Sequence, residues 1–198
     1  IWGIHTGANS DLKSIEDLKN GAYAISRFGS GSHLMAFVDA KNRGWSTDNM
    51  KFEVIQNLTG ARESLINNNA DGFFWEKFTT KPLVDAGDFR RIGECPTPWP
   101  CFSIAVSAAF LDKFPNEVAA MQNVINAVSS QVQVDKKMLP VFAERYVLKL
   151  ADVTEWFDQT EWATNKVVEE SVIDNVQSTL LDLKLIDNKK SYNEIVKQ

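Results

Sequence analysis

The sequence predicts an α/β protein in which a parallel-rich sheet flanked by helices is followed by a helical C-terminal part. Two observations predict this fold class. The first hundred residues alternate short apolar runs with helical patterns, which is typical of β-α-β units. After Pro115 the alternation stops, and apolar residues recur only at helical spacing.

The strands are predicted from apolar runs and from alternation of apolar with polar residues. The opening "IWGIHTG" reads as a strand already under way, and "GFFW" is nearly all apolar, as expected for a strand covered on both faces. The predicted strands after the opening one are 22–28, 51–57, 71–77, 89–94 and 101–107.

Three helices are predicted between these strands. "SGSHLMAFVDAKNRG" (30–44) has a serine start, an apolar face and a glycine stop. "TGARESLINNNA" (59–70) places Ala61, Leu65 and Ile66 on one face, and "TTKPLVDAG" (79–87) is a short helix that ends at Gly87.

The second half is predicted to be helical throughout. The segment 152–163 begins with Asp152 as a cap and Glu155 three residues later, close to a capping box. The predicted helices are 116–134, 138–150, 152–163 and 165–186. Their long apolar stripes must be covered, either by the α/β half or by a missing N-terminal segment. If the chain is a fragment, we expect a second chain or a cut N-terminal piece to accompany it.

Composition excludes several classes of partner. The net charge of -5 gives no reason to expect nucleic acid or an anionic membrane surface. No apolar run approaches the roughly 20 residues of a membrane span. Because residue 1 is Ile, we expect a processed form or a fragment, and localisation stays open: cytoplasmic if the native protein starts without a signal, periplasmic or cell-surface otherwise.

A Ser/Gly-rich turn, Ser30-Gly31-Ser32-His33, separates a predicted strand from a predicted helix. It would place backbone N–H groups, two hydroxyls and a helix N-terminus at one spot, which suits an anion or a polar head group. A capped strand-to-helix turn without a ligand explains the same residues equally well.

Aromatic residues follow two other predicted strands. Trp75 and Glu76 lie where the third β-α-β strand leaves the sheet, and ligands of open α/β sheets bind beyond such carboxyl ends. A tryptophan beside a carboxylate suits a flat or cationic organic group, although a core tryptophan followed by a solvated glutamate is the simpler interpretation. Trp99, in "GECPTPWPCF", lies either at a pocket mouth or packed inward.

Enzymatic patterns are absent from the sequence. The two histidines, His5 and His33, are too few for a three-histidine metal site. Cys95 and Cys101 lack a C-x-x-C spacing and are expected to be free thiols, with a local disulfide as the alternative. Ser30 or Ser32 beside His33 forms no triad. The residues therefore indicate no catalytic group, no metal and no cofactor.

The order of these motifs resembles the solute-binding proteins of ABC transporters. "SDLKSIEDLKNGAYAISRFGSGSHLMAFVDAKNRG" and "FEVIQNLTGARESLINNNADGFFWEKFTTKPLVD" are similar to the branch that includes alkanesulfonate and nitrate/taurine binders and the thiamine-pyrimidine synthases of fungi. "GSGSHLMA", "WEKFTTKP" and "PTPWPCF" look like a small uncharacterised group shared by bacteria and yeasts.

The resemblance implies a periplasmic-binding-protein-like type II fold, with a ligand in a cleft between two lobes. Residues 12–105 would form one complete α/β lobe. Residues 1–11 and 106–198 would supply the crossings, near Trp2–His5 and Phe102–Ser107, and the helical part of the other lobe, whose opening strands are missing from this chain.

The implied function is binding of a small polar or anionic organic molecule, for example a thiamine-precursor-like pyrimidine or a sulfonate, rather than catalysis. The expected ligand contacts are Ser30, Gly31, Ser32, His33, Trp75 and Glu76, with Trp2, His5 and Trp99 as wall residues. The alternatives are an enzyme of thiamine-pyrimidine synthesis and a ligand-sensing regulatory domain. The synthases carry a cysteine-rich iron motif and a histidine/lysine pair for pyridoxal phosphate, and this sequence shows neither.

Overall fold

A computed structural model describes residues 1–164 and 167–197. The described chain divides into two compact units. The first contains Ile1–Pro98 and Thr179–Asp187, and the second contains the rest. The lobe boundaries expected from the sequence remain a prediction. Residues 2–7, placed there in a crossing segment, form a strand within the sheet of the first unit.

The first unit is built on a mixed sheet of five strands with the order β3-β2-β4-β1-β5. The strands are β1 Trp2–Gly7, β2 Ala22–Ile25, β3 Lys51–Val54, β4 Gly72–Glu76 and β5 Phe89–Cys95. β2 pairs in parallel with β3 and β4, whereas β1 is antiparallel to both of its neighbours, β4 and β5.

The predicted α/β class is confirmed, and the sheet is mixed because β1 is antiparallel to both of its neighbours. Four strands point one way and β1 runs against them. The β-α-β units from β2 to β4 fix a common direction, since a crossover helix joins parallel strands. β1 precedes these units and enters between β4 and β5, so no crossover sets its direction.

Helices cover both faces of the sheet. They are α1 Gly31–Asn42, α2 Leu58–Ile66 and α3 Lys81–Asp85, preceded by a 3₁₀ turn at Ile15–Leu18. Phe73 and Trp75 pack with residues of α2 and α3, including Leu65 and Leu83. Phe74, between them in β4, points to the opposite face and contacts Tyr23. Burial on both faces explains why β4 is apolar along most of its length.

The second unit is helical. Its helices are α4 Ala108–Lys113, α5 Pro115–Val134, α6 Leu139–Tyr146, α7 Leu150–Gln159, α8 Glu170–Asp182, whose last residues are assigned to the first unit, and α9 Tyr192–Ile195, with a 3₁₀ turn at Lys136–Met138. Leu139, Val153 and Phe157 form its core, packed by Trp156 and Trp162. α5 contains no buried residue.

Three expectations for the second half need correction. Residues 101–107 do not form a strand, because a strand requires a paired neighbour and the five described strands pair only with one another. Asp152 is not a cap: α7 begins two residues earlier, at Leu150, after Lys149. The helix predicted over 165–186 spans Glu170–Asp182, and residues 165 and 166 lie outside the described residues.

The two cysteines differ in their exposure to solvent. Cys95 is buried and Cys101 exposed, and both are free thiols, as expected. Among the described residues, no helix combines the length and the apolar character that crossing a membrane requires.

Candidate functional site

The antiparallel entry of β1 brings several predicted residues to one end of the sheet. Trp2, at the start of β1, pairs with Glu76 and Cys95, the last residues of β4 and β5. Because β2 is parallel to β4, the turn that follows β2 lies at the same end. Directly paired residues of antiparallel strands share a face, so Trp2 and Glu76 point to the same side of the sheet.

The turn between β2 and α1 contains two buried, mutually bonded hydroxyls. Ser30 caps α1, and its Oγ accepts the N–H of His33 at 3.4 Å. Ser32 Oγ accepts the N–H of Ser26 at 3.0 Å, and the two serine oxygens lie 3.0 Å apart. One hydroxyl proton suffices for the bond between the serines, so the other can be donated to a ligand.

Gly31 has the ring of Trp2 directly against it. A Cβ atom at Gly31 would lie 2.5 Å from Cη2 of Trp2, closer than any side chain can approach. Gly31 is also the first residue of α1, where backbone N–H groups have no intrahelical acceptor. Trp2 therefore contacts the Ser/Gly-rich turn directly. The sequence indicated only that both lie near the cleft.

His33 is turned into the protein. Its Nδ1 accepts the N–H of Gly29 at 3.1 Å, which supports the left-handed backbone of Gly29 (φ 76°). Its ring lies edge-on to Phe28, Phe37 and Phe52. Burial lowers the pKa of His33, so the imidazole is neutral at pH 7 and supplies no positive charge to a ligand.

Glu76 stabilises the turn that follows β4. Its Oε2 accepts the backbone N–H groups of Phe78 and Thr79 at 3.0 and 2.8 Å, and the hydroxyl of Thr79 at 2.9 Å. This oxygen is therefore engaged within the protein. The carboxylate that the sequence suggests as a ligand contact acts here as a cap for its own turn.

Trp75 faces the side of the sheet opposite Glu76. Its ring stacks on Phe73, with centroids 5.3 Å apart and planes 21° apart, and packs against the core beneath α2 and α3. Trp75 is half-buried. The contact of Trp75 with a ligand remains a prediction, and the aromatic ring that lies against the Ser/Gly-rich turn is that of Trp2.

His5 lies inside the sheet. It is fully buried, its Nδ1 is 3.3 Å from the carbonyl oxygen of Phe73, and its Nε2 is 2.9 Å from Oγ1 of Thr80. Desolvation lowers the pKa of His5 to about 4. Both ring nitrogens of His5 are engaged by the protein, and its expected place in the wall of a ligand pocket remains a prediction. Trp99 belongs to the second unit, where its carbonyl oxygen lies 3.9 Å from Sγ of Cys101.

Two residues near the turn were not among the candidates from the sequence. Arg27 is an exposed cation in the turn itself, and its place between a strand and a Gly-Ser segment was a usable signal. Thr97 accepts a hydrogen bond from Nε1 of Trp2 at 3.1 Å, and no sequence pattern links residues 95 positions apart. In the described part of the chain, no group of three or more His, Cys, Asp or Glu residues is arranged to hold a metal ion.

Comparison with known proteins agrees with this architecture. Residues 2–95 match the family described as Ca3427-like PBP. The CA3427 gene product of Candida albicans, described as defining a family with the generic periplasmic binding protein fold, is 24% identical, with a TM-score of 0.80 over 96% of this chain and 64% of that chain. A search of curated proteins finds no match.

Two bacterial structures share the fold at lower identity. The alkanesulfonate-binding protein SsuA of Xanthomonas axonopodis pv. citri, bound to MOPS, is 17% identical, with a TM-score of 0.71 over 93% of this chain and 65% of that chain. The SsuA protein of Escherichia coli is 16% identical, with a TM-score of 0.67 over 100% and 65% of the two chains. This chain thus spans less than two thirds of the length of each of these relatives.

The mixed sheet with helices on both faces, the helical second half and these matches lead to one conclusion about the fold. The chain has the periplasmic-binding-protein-like fold of type II, and its residues 2–95 match the family described as Ca3427-like PBP.

Proposed function

We propose that this chain is a solute-binding protein that holds a small organic anion at the turn between β2 and α1. The observation that carries the proposal is the arrangement of Trp2 against Gly31 at the carboxyl ends of β2 and β4. The turn combines the N-terminal backbone N–H groups of a 12-residue helix, a hydroxyl proton of the Ser30–Ser32 pair and the exposed cation Arg27.

The charge of these groups favours an anionic end over an amine. Helix N-termini attract negative charge by about 0.3–1 kcal/mol, and Arg27 adds to this attraction. The carboxylate that would pair with an aminopyrimidine, Glu76, already receives three hydrogen bonds at Oε2. The turn therefore offers more hydrogen-bond donors and positive charge to a sulfonate or carboxylate than it offers acceptors to a pyrimidine amine. The ring of Trp2 offers an apolar surface for the remainder of the ligand.

A binding role also agrees with the solved relatives. The Xanthomonas protein is described as alkanesulfonate-binding, and its structure contains the sulfonate MOPS. The enzymatic alternative, synthesis of a thiamine pyrimidine, has no group in the described site to support it. The ligand of this chain is a proposal, since identities of 16–24% carry the fold alone.

The test is a calorimetric titration and thermal-shift screen with ethanesulfonate, MOPS, succinate and an aminopyrimidine. A ligand present at 100 times its Kd stabilises the folded state by about 2.7 kcal/mol, which is readily seen as a higher Tm. We expect a sulfonate or carboxylate to bind and Arg27→Gln to weaken binding. Lys19→Gln, an exposed cation just before β2 at the other end of the sheet, is the matched control.

Two results would contradict the proposal. One is the absence of a Tm increase with every anion at millimolar concentration. The other is an anion that binds Arg27→Gln and the parent equally well. A pyridoxal phosphate absorbance band in the purified protein would instead support the enzymatic alternative.

A further inference from the structure

The indole of Trp2 is anchored at both ends. Its six-membered ring abuts Gly31, where a Cβ would come within 2.5 Å of Cη2 and 2.8 Å of Cζ2. Its Nε1–H donates to Oγ1 of Thr97 at 3.1 Å. A tryptophan side chain has two rotatable bonds, so one contact on the ring edge and one directional hydrogen bond together fix its orientation.

The acceptor of this hydrogen bond is itself held in place by its neighbours. Thr97 lies between Pro96 and Pro98, directly after β5. A proline ring fixes its own φ, and the residue before a proline is confined to extended conformations. The two prolines therefore restrict the backbone of Thr97 independently of its hydrogen bond to the indole. Threonine is also stiff at χ1, because its Cβ is branched.

Thr97 is therefore connected to the Ser/Gly-rich turn through Trp2, which contacts both Thr97 and Gly31. Without the hydroxyl of Thr97, the indole of Trp2 could rotate about its side-chain bonds. The packing of the ring on Gly31 would remain, but a packing contact does not fix a direction as a hydrogen bond does. The ring would then leave Gly31. The first turn of α1 would lose the surface against which it is packed, although both serines would keep their hydrogen bonds.

We propose that Thr97 is a positioning residue for ligand binding, acting through Trp2 on the first turn of α1. This inference rests on the proposed function, because it assigns a role within the same site. Thr97 orients the indole, the indole packs against Gly31, and the first turn of α1, which begins at Gly31, presents the backbone N–H groups that donate to the anion.

The first experiment requires no ligand. Two-dimensional NMR of the ¹⁵N-labelled 198-residue protein follows the backbone amide signals of Gly31 and Ser32 and the indole signal of Trp2, assigned with Trp2→Phe. Thr97→Val keeps the shape of the side chain and removes the hydroxyl. We expect it to shift the signals of Gly31 and Ser32, because reorientation of the indole changes the ring current they experience.

Two further variants separate positioning from general loss of stability. Thr97→Ser retains the hydroxyl and is expected to restore the parent signals. Thr47→Val removes a hydroxyl from a threonine of similar, partial burial in the loop after α1, and is expected to leave Gly31 and Ser32 unchanged. Unshifted Gly31 and Ser32 signals in Thr97→Val would overturn the positioning role.

The second experiment measures binding of MOPS by calorimetry. Loss of one hydrogen bond of ordinary strength predicts roughly three- to tenfold weaker binding in Thr97→Val and parent affinity in Thr97→Ser. Parent affinity in Thr97→Val, together with shifted signals, would overturn the role in binding. If the parent binds neither MOPS nor any other anion of the screen, the proposed function fails, whereas the NMR result still decides whether Thr97 positions the turn.

Discussion

The imidazole of His5 is enclosed by the sheet, with Phe73 and Thr80 as its polar partners. Desolvation is the largest cause of its lowered pKa, and the nearby Arg91 lowers the pKa further. In the unfolded chain the same group titrates near 6.5. Between about pH 6.5 and pH 4, His5 is therefore protonated in the unfolded chain and neutral in the folded protein.

This difference predicts the direction of a pH effect on stability. The contribution of neutral His5 is fully present above pH 6.5 and is lost as the pH falls toward 4. A shift from 6.5 to about 4 corresponds to about 3 kcal/mol. Urea unfolding of the parent and of His5→Gln at pH 7.5 and pH 4.5 measures how much of the free energy of unfolding is lost on acidification. The variant should lose less stability on acidification, and equal losses would contradict the assignment.

The sequence indicates the role of some residues of the candidate site. The role of others depends on contacts with residues far away in the chain. Ser30 as the cap of a helix follows from the local pattern alone. The face on which Trp75 lies depends on the register of β4, and the partners of Trp2 come from residues 31 and 97. Local sequence carries no information about such contacts.

Among the elements, β4 shows how alternation along a strand separates neighbouring side chains. Phe73 and Trp75 point toward α2 and α3, while Glu76 shares the face of Trp2. Adjacent residues of one strand thus serve different parts of the first unit. Trp75 is bound into the core, and Glu76 closes the turn into α3.

We expect Trp75→Ala to reduce stability rather than to act on ligand binding alone. Removal of a large, partly buried aromatic from a packed cluster costs about 2–4 kcal/mol. Urea unfolding measures the loss, with Trp45→Ala, a half-buried tryptophan in a loop, as the control. A variant with parent stability and no ligand binding would show that the ring contacts the ligand instead.

The elements that the sequence predicts well are those fixed by local patterns. α1, α2, α5 and β4 agree with their predicted positions, because caps, glycine stops and apolar periodicity lie within each segment. The antiparallel direction of β1 was not predicted from the sequence, and the strand predicted at 101–107 is wrong. Both depend on which distant strand is available for pairing, which no local pattern records.

The second unit carries an apolar surface on α5. Met121, Val124, Ile125 and Val128 recur at helical spacing and are all exposed, Val124 to 63%. Exposed apolar stripes of this length usually bind another surface. The expectation from the sequence that another polypeptide segment covers these helices stays a prediction.

The 198-residue chain alone should therefore associate with itself or bind an apolar dye. Size-exclusion chromatography with light scattering and ANS fluorescence measure the two effects. Val124→Lys, placed on the stripe, should reduce both, whereas Asn123→Lys on the same helix should not. A parent chain that remains a monomer without dye binding would contradict the prediction.

The position of β1 also has a consequence for the order in which the chain can fold. β1 ends at Gly7, and its partners β4 and β5 begin at Gly72 and Phe89. Ribosomes add about 5–20 residues per second, so β1 waits several seconds for its partners during synthesis. During this time β2 and β3 can pair, and β4 can join β2 through its crossover as soon as it is made, which leaves the other edge of β4 open. Docking of β1 closes that edge, so we expect it to be a late and slow step, exposed to competition from other strands until it is complete.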